Sequence, residues 1–204
     1  MPRQAKYLCL KFKKRSSELD AIRVKMESLL RSGALDAIDV EEVYSGLFLD
    51  IFTDFEALIE NLFFGLVSRE LHTVVNPVNR KIIIRPISMI RDVVFAGKPY
   101  LDWLPYDERT IPRAKRFFQN GEPFTLLNLD PHKTDLQNYH LIRNALAHKS
   151  DSATKKFENF IQGLTLLPRE KTPCGYLRSV PYGSQTQYEI VVINLQIMAN
   201  TLCA

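Results

Sequence analysis

Cysteine is scarce: the three residues present, Cys9, Cys174 and Cys203, are an odd number without paired spacing. That excludes a disulfide framework and a cysteine-based zinc site, and it fits a reducing compartment. Histidine is nearly as scarce, with four residues. His72, His132, His140 and His148 have no Glu or Cys partners at ligand spacing, so a metal hydrolase is not expected and no metal is assigned. Glycine forms no phosphate-binding loop, because Gly97-Lys98 stands without a loop pattern around it. No apolar run approaches the roughly 18 to 20 residues that span a bilayer, and Met1-Pro2-Arg3-Gln4 leads into no signal-peptide core. The expectation is a cytoplasmic protein without membrane association or cofactor. Repeats, low-complexity tracts and linkers are also missing.

What is present is a chain of 204 residues, 46% of them hydrophobic, enough for a substantial core and most simply read as one domain over 1–204. The net charge of +4 is modest, so its distribution matters more than its size. Basic residues gather at Lys11, Lys13, Lys14 and Arg15, at Arg80, Lys81, Arg85 and Arg91, and at Arg109, Arg113, Lys115 and Arg116. Phe12, Trp103, Tyr106 and Phe117 are interleaved with them. Such a mixture suits single-stranded RNA, where cations follow phosphates and rings stack on unpaired bases. Solvated helix faces over core aromatics would look the same in sequence. Of the three clusters, Arg109, Arg113 and Arg116 are the candidate substrate contacts.

Periodicity predicts an all-α bundle. An irregular or briefly extended lead-in through Arg15 should give way to a helix capped by Ser16 or Ser17, carrying Leu19, Ile22, Met26, Leu29 and Leu30, and ending at Gly33. Asp39 and Glu42 make a capping box that opens an unusually long helix to about His72, with Tyr44, Phe48, Ile51, Phe55, Leu58 and Leu62 on one seam. Leu47, Phe52, Ile59, Phe63, Leu66 and Val67 widen its apolar face, which makes it the central element. Val74 to Ile84 reads as a short strand or an extended segment. Met89 to Phe95 suggests a short helix, and Thr110 starts another that closes after Phe118. Asp151 or Ser152 should cap a helix through Phe157, Phe160 and Ile161. Pro168, Pro173, Pro181, Gly175 and Gly183 predict a long loop or small hairpin over 164–184. From about Gln185 the consecutive apolar residues admit a strand at Ile190 to Ile193, but the length of the stretch favours a C-terminal helix.

The chemistry concentrates in His140-Leu141-Ile142-Arg143-Asn144-Ala145-Leu146-Ala147-His148. Thr134 and Gln137 supply a capping box for its helix, and Leu136, Tyr139, Ile142 and Leu146 a buried stripe. His140, Asn144 and His148 then stack at i, i+4, i+8 on a second face, with Arg143 on its flank. A histidine moves protons near neutral pH, an arginine stays cationic and grips two phosphoryl oxygens, and an asparagine fixes orientation. RNA carries its own nucleophile in the 2′-OH, so such a set suffices without a metal. On an unbroken helix Arg143 and His148 diverge by about 140° and lie ~7.5 Å apart along the axis. Either the helix ends or distorts near His148, or a second copy completes the site.

Arg143, Asn144 and, after three further positions, His148 resemble the signature of the HEPN superfamily. The segments Tyr100-Leu101-Asp102-Trp103-Leu104-Pro105-Tyr106-Asp107, Phe117-Phe118, Gln187-Tyr188-Glu189-Ile190 and Asn194-Leu195-Gln196 resemble its RiboL-PSP-HEPN branch. The resemblance implies a HEPN-like helical bundle and a metal-independent endoribonuclease of toxin or antiviral-defence type. It implies Arg143, Asn144 and His148 as catalytic residues, a homodimer with two motifs facing one cleft, and a cognate antitoxin or defence-system partner. His140, Lys149 and Ser150 beside the motif join the candidate substrate contacts. The competing expectation is a non-catalytic HEPN-like dimer that binds RNA, nucleotide or a protein partner. One departure is Ser150, which stands where some HEPN toxins carry a tyrosine that is nucleotidylated by the antitoxin.

Overall fold

The computed structural model describes residues 2–75, 77–84, 86–148, 150–181 and 183–204, with the backbone alone at Ile87. Of the sequence-based candidates, Arg85 and Lys149 lie outside the described residues. The fold is all-α: α1 Lys6–Arg31, α2 Ala37–Ser68, α3 Ile90–Phe95, α4 Tyr106–Phe117, α5 His132–Ala147, α6 Asp151–Ile161, α7 Pro173–Arg178 and α8 Gln187–Cys203. Two-residue strands β1 Arg3–Gln4 and β2 Leu71–His72 form one parallel pair, Arg3 opposite Leu71 and Gln4 opposite His72. No helix among the described residues is long and apolar enough to cross a membrane.

The chain groups into two compact units. The first comprises residues 1–12, 55–137 and 196–204, the second residues 13–54 and 138–195. Helices α1, α2, α5 and α8 contribute residues to both.

Helix α2 is the longest element at 32 residues, as its periodicity predicts. Its ends differ from expectation. Asp36 N–H donates to Asp39 Oδ2 at 3.0 Å, so Asp39 lies inside the first turn, where its carboxylate serves the backbone three residues ahead, and is not itself the cap. The helix stops at Ser68 because Arg69 takes a left-handed φ of 64°, after which the chain pairs as β2 instead of continuing to His72. In the first unit α2 buries Phe55, Leu58, Ile59, Leu62, Phe63, Leu66 and Val67; in the second it buries Val40, Tyr44, Leu47, Phe48, Ile51 and Phe52. Phe63 is the hub of the first unit, with its ring centroid 5.2–5.7 Å from those of Trp103, Phe117, Phe118 and Phe124.

The N-terminal lead-in is a correction, since α1 begins at Lys6. Ala5, Leu8, Cys9, Phe12, Ser16 and Leu19 are all buried, and their spacing is one face of a continuous helix that places the lysines of the basic run on its other sides. Ile22, expected in the stripe, is 42% exposed. Helix α4 starts at Tyr106 rather than Thr110 and carries Pro112 inside it, while Thr110 is fully buried with its hydroxyl donating to Trp103 O. The segment 164–184 also differs from the predicted loop. Thr172 accepts from Gly175 N–H and Pro173 occupies the first turn, so α7 forms where prolines suggested none. Gly175 is required there, because a Cβ would collide with the carbonyl of Arg169. Helices α3 and α8 form as predicted, and Ile82 to Ile84 pair in no strand.

Candidate functional site

Helix α5 begins two residues before its predicted cap. Thr134 Oγ1 donates to Asp130 Oδ1 at 2.6 Å, and Gln137 Nε2 donates to Asp107 Oδ2 at 2.9 Å, so neither residue serves the expected capping box. The apolar stripe holds through Leu136, Tyr139 and Ile142, all buried, but Leu146 is half-buried. Within the second unit Asn194 Nδ2 of α8 donates to Tyr139 Oη at 3.0 Å, which fixes the rotation of α5 and hence the direction of its polar face. The sequence placed Tyr139 in the buried stripe and Asn194 in a segment of the resemblance, but not their pairing, because a tyrosine in an apolar stripe reads as core.

The polar face is a continuous hydrogen-bonded chain. Arg143 Nη1 donates to Asn144 Oδ1 at 3.2 Å and stands 3.4 Å from His148 Nε2. Asn144 Nδ2 is 3.0 Å from His140 Nε2. Proton positions follow from valence. A guanidinium only donates, so Asn144 must turn its oxygen toward Arg143 and its NH₂ toward His140; His140 Nε2 is then the acceptor. By the same rule His148 Nε2 accepts from Arg143 and is unprotonated there. His140, Arg143 and Asn144 are half-buried and His148 is exposed, so the group is open to a ligand at the His148 end. Arg143 Nε and Nη2 have no partner among the described residues, which leaves donors for two phosphoryl oxygens.

Of the two resolutions left open by the sequence, the helix end is the one observed within this chain. His148 N–H still bonds to Asn144 O at 2.9 Å, but α5 ends at Ala147. At this helix end the long Arg143 side chain reaches the imidazole, with Nη1 3.4 Å from Nε2. The divergence calculated for an unbroken helix therefore does not argue for a second copy. Ser150 begins the next element: its backbone is extended (φ −94°, ψ 148°) and its hydroxyl accepts from Ala153 N–H at 3.3 Å. It is the N-cap of α6, one or two residues before the predicted caps Asp151 and Ser152.

Arg109, Arg113 and Arg116 lie on α4 in the first unit, whereas Arg143, Asn144 and His148 belong to the second. Arg109 and Arg116 are exposed. Arg113 is committed to the fold: Nη1 donates to Asp102 O at 3.0 Å and the guanidinium lies 4.4 Å above the Trp103 ring. Burial pulls its pKa down, with Asp102 opposing and Arg109 and Arg116 adding to the fall. Phe12, Trp103, Tyr106 and Phe117 are all buried, so the rings interleaved with the basic residues are core, not platforms for bases.

Sequence reasoning missed a second polar constellation, in the second unit. Arg23 Nη2 donates to Glu189 Oε1 at 2.9 Å, Arg178 Nε to Glu27 Oε1 at 2.9 Å, and Tyr44 Oη to the same Glu27 oxygen at 3.0 Å. These residues line a cleft of about 350 Å³. The Arg178 hydrogen bond holds the Glu27 carboxyl below the usual carboxylate range despite burial, and burial pushes the Tyr44 phenol up to about 12. Arg23 and Glu27 stand four apart on α1 and read as an ordinary solvated pair. Only the arrival of α7 and α8 reveals their partners.

Among the described residues no group of three or more His, Cys, Asp or Glu side chains is placed to hold a metal ion. Comparisons with family models, with curated proteins and with solved structures yield no match to this chain.

Proposed function

We propose that this protein is a metal-independent endoribonuclease that cleaves single-stranded RNA by attack of the 2′-OH, with Arg143, Asn144 and His148 as its catalytic residues. The observation that carries the reading is the contact chain from His140 through Asn144 and Arg143 to His148 at an open helix end. When substrate phosphate draws Arg143 off His148 Nε2, the freed lone pair takes the 2′-OH proton as the 2′-oxygen bonds to phosphorus and the bond to the 5′-oxygen breaks. Arg143 neutralises charge developing on the non-bridging oxygens, and Asn144 holds Arg143 in place. The products are a 2′,3′-cyclic phosphate and a 5′-OH. In-line displacement puts nucleophile and leaving group on opposite sides of phosphorus, so one imidazole does not serve both. A homodimer, implied by the HEPN resemblance, supplies the second motif and the proton for the 5′-oxygen. Arg109 and Arg116 are the candidate phosphate contacts outside the motif.

The test is cleavage of single-stranded RNA by purified protein with EDTA present. His148→Ala and Arg143→Ala are each expected to lose about 10² to 10⁴ in rate, and the product ends to carry cyclic phosphate. Cleavage that needs a metal, leaves a 3′-OH or persists in His148→Ala refutes the mechanism. RNA binding without cleavage would support a non-catalytic binding module instead.

A further inference from the structure

We infer that His140 is a positioning residue, which acts on the reaction through Asn144 and not by touching the RNA; this rests on the endoribonuclease reading above. The Asn144 amide has two orientations of nearly equal shape, and only one gives Arg143 an oxygen. In the other, an NH₂ would face the guanidinium and donor would meet donor. His140 Nε2, 3.0 Å from Asn144 Nδ2, selects the productive orientation by accepting from the NH₂. Asn144 Oδ1 then receives Arg143 Nη1 at 3.2 Å, and the same nitrogen stands 3.4 Å from His148 Nε2. All three links belong to one unit and span two turns of α5 with His148 at its end, so no domain movement is needed to transmit the orientation. The half-buried state of His140 beside the exposed His148 agrees with a role behind the reacting group. Its ring must be neutral with the proton on Nδ1, since a proton on Nε2 would meet the Asn144 NH₂.

The kinetic experiment compares His140→Ala, His140→Gln, Asn144→Ala and the His140→Ala/Asn144→Ala double variant on single-stranded RNA in EDTA. His140→Ala is expected to lower kcat roughly 10-fold with KM unchanged, short of the ~10² that a full 1 Å misplacement costs. His140→Gln, whose amide oxygen is an acceptor of similar reach, restores most of it. The double variant is no slower than Asn144→Ala alone, because His140 works only through Asn144. A rise in KM at constant kcat, or losses that multiply in the double variant, overturns the proposal. Nitrogen-15 NMR of the His140 ring supplies a readout independent of cleavage. The proposal requires the Nδ1–H tautomer in the parent and a shifted tautomer balance in Asn144→Ala; an Nε2–H ring in the parent overturns it. An inactive parent with the Nδ1–H ring would refute the endoribonuclease reading and leave the orientation of Asn144 by His140 standing.

Discussion

Replacing Ser150 separates two roles that this position can have beside His148. The structure makes it the N-cap of α6, with its hydroxyl accepting from Ala153 N–H at 3.3 Å and its own backbone extended. Losing a serine cap to alanine costs about 1 kcal/mol, and for a chain of this size that lowers Tm by ~2–4 °C. The first turn of α6 then frays two residues from His148, so the ring loses its fixed place beside Arg143 and cleavage slows. Ser150→Asp is the informative partner, because aspartate caps as well as serine and its charge suits a helix N-terminus. If Ser150 is a cap alone, the aspartate variant keeps the parent's Tm and its RNA cleavage. If Ser150 contacts phosphate, the added negative charge repels the substrate, and cleavage collapses at unchanged Tm. Thermal melts of both variants beside a single-stranded RNA assay decide the matter. An alanine variant with the parent's Tm would refute the cap energetics, and an inactive but stable aspartate variant would refute the assignment of Ser150 to structure.

Phe63→Ala should destabilise the protein by about 3–5 kcal/mol, since it empties a fully buried site ringed by Trp103, Phe117, Phe118 and Phe124; urea titration measures it, and a loss below about 1 kcal/mol would contradict the hub. Glu27 has a folded pKa below its unfolded value, so its contribution is full above about pH 4.3 and declines as pH falls below that and through the depressed folded value. The parent should therefore lose Tm more steeply on acidification than Glu27→Gln, and parallel curves would refute the role of Arg178. Light scattering at micromolar concentration should give about twice the 23.5 kDa chain mass. A persistent monomer would remove the second proton-transfer group that in-line cleavage needs.

Local pattern was enough for the all-α class, for α2 as the longest element, for α3, and for the stacking of His140 and Asn144 on one helical face. These depend on period and on interactions within a few residues, which the chain carries in its own order. Helix starts were less legible. Asp39 sits inside the first turn of α2 and accepts from Asp36 N–H, and Thr134 and Gln137 serve Asp130 and Asp107, because several side chains near each start are competent to cap and the surrounding fold chooses among them. The N-terminal lysines masked a helix whose buried face becomes visible only when Cys9 and Ser16 are counted with Leu8 and Phe12. Trp103, Tyr106 and Phe117 suit a base or a core equally well in sequence, and burial, a property of the whole chain, decides for the core. The ion pairs of Arg23 with Glu189 and of Arg178 with Glu27 join residues 166 and 151 positions apart, beyond any local pattern. The same holds at the motif. Sequence placed Arg143 and His148 five residues apart, but only the structure shows Nη1 and Nε2 3.4 Å from each other, with α5 ending at Ala147 and Ser150 capping α6.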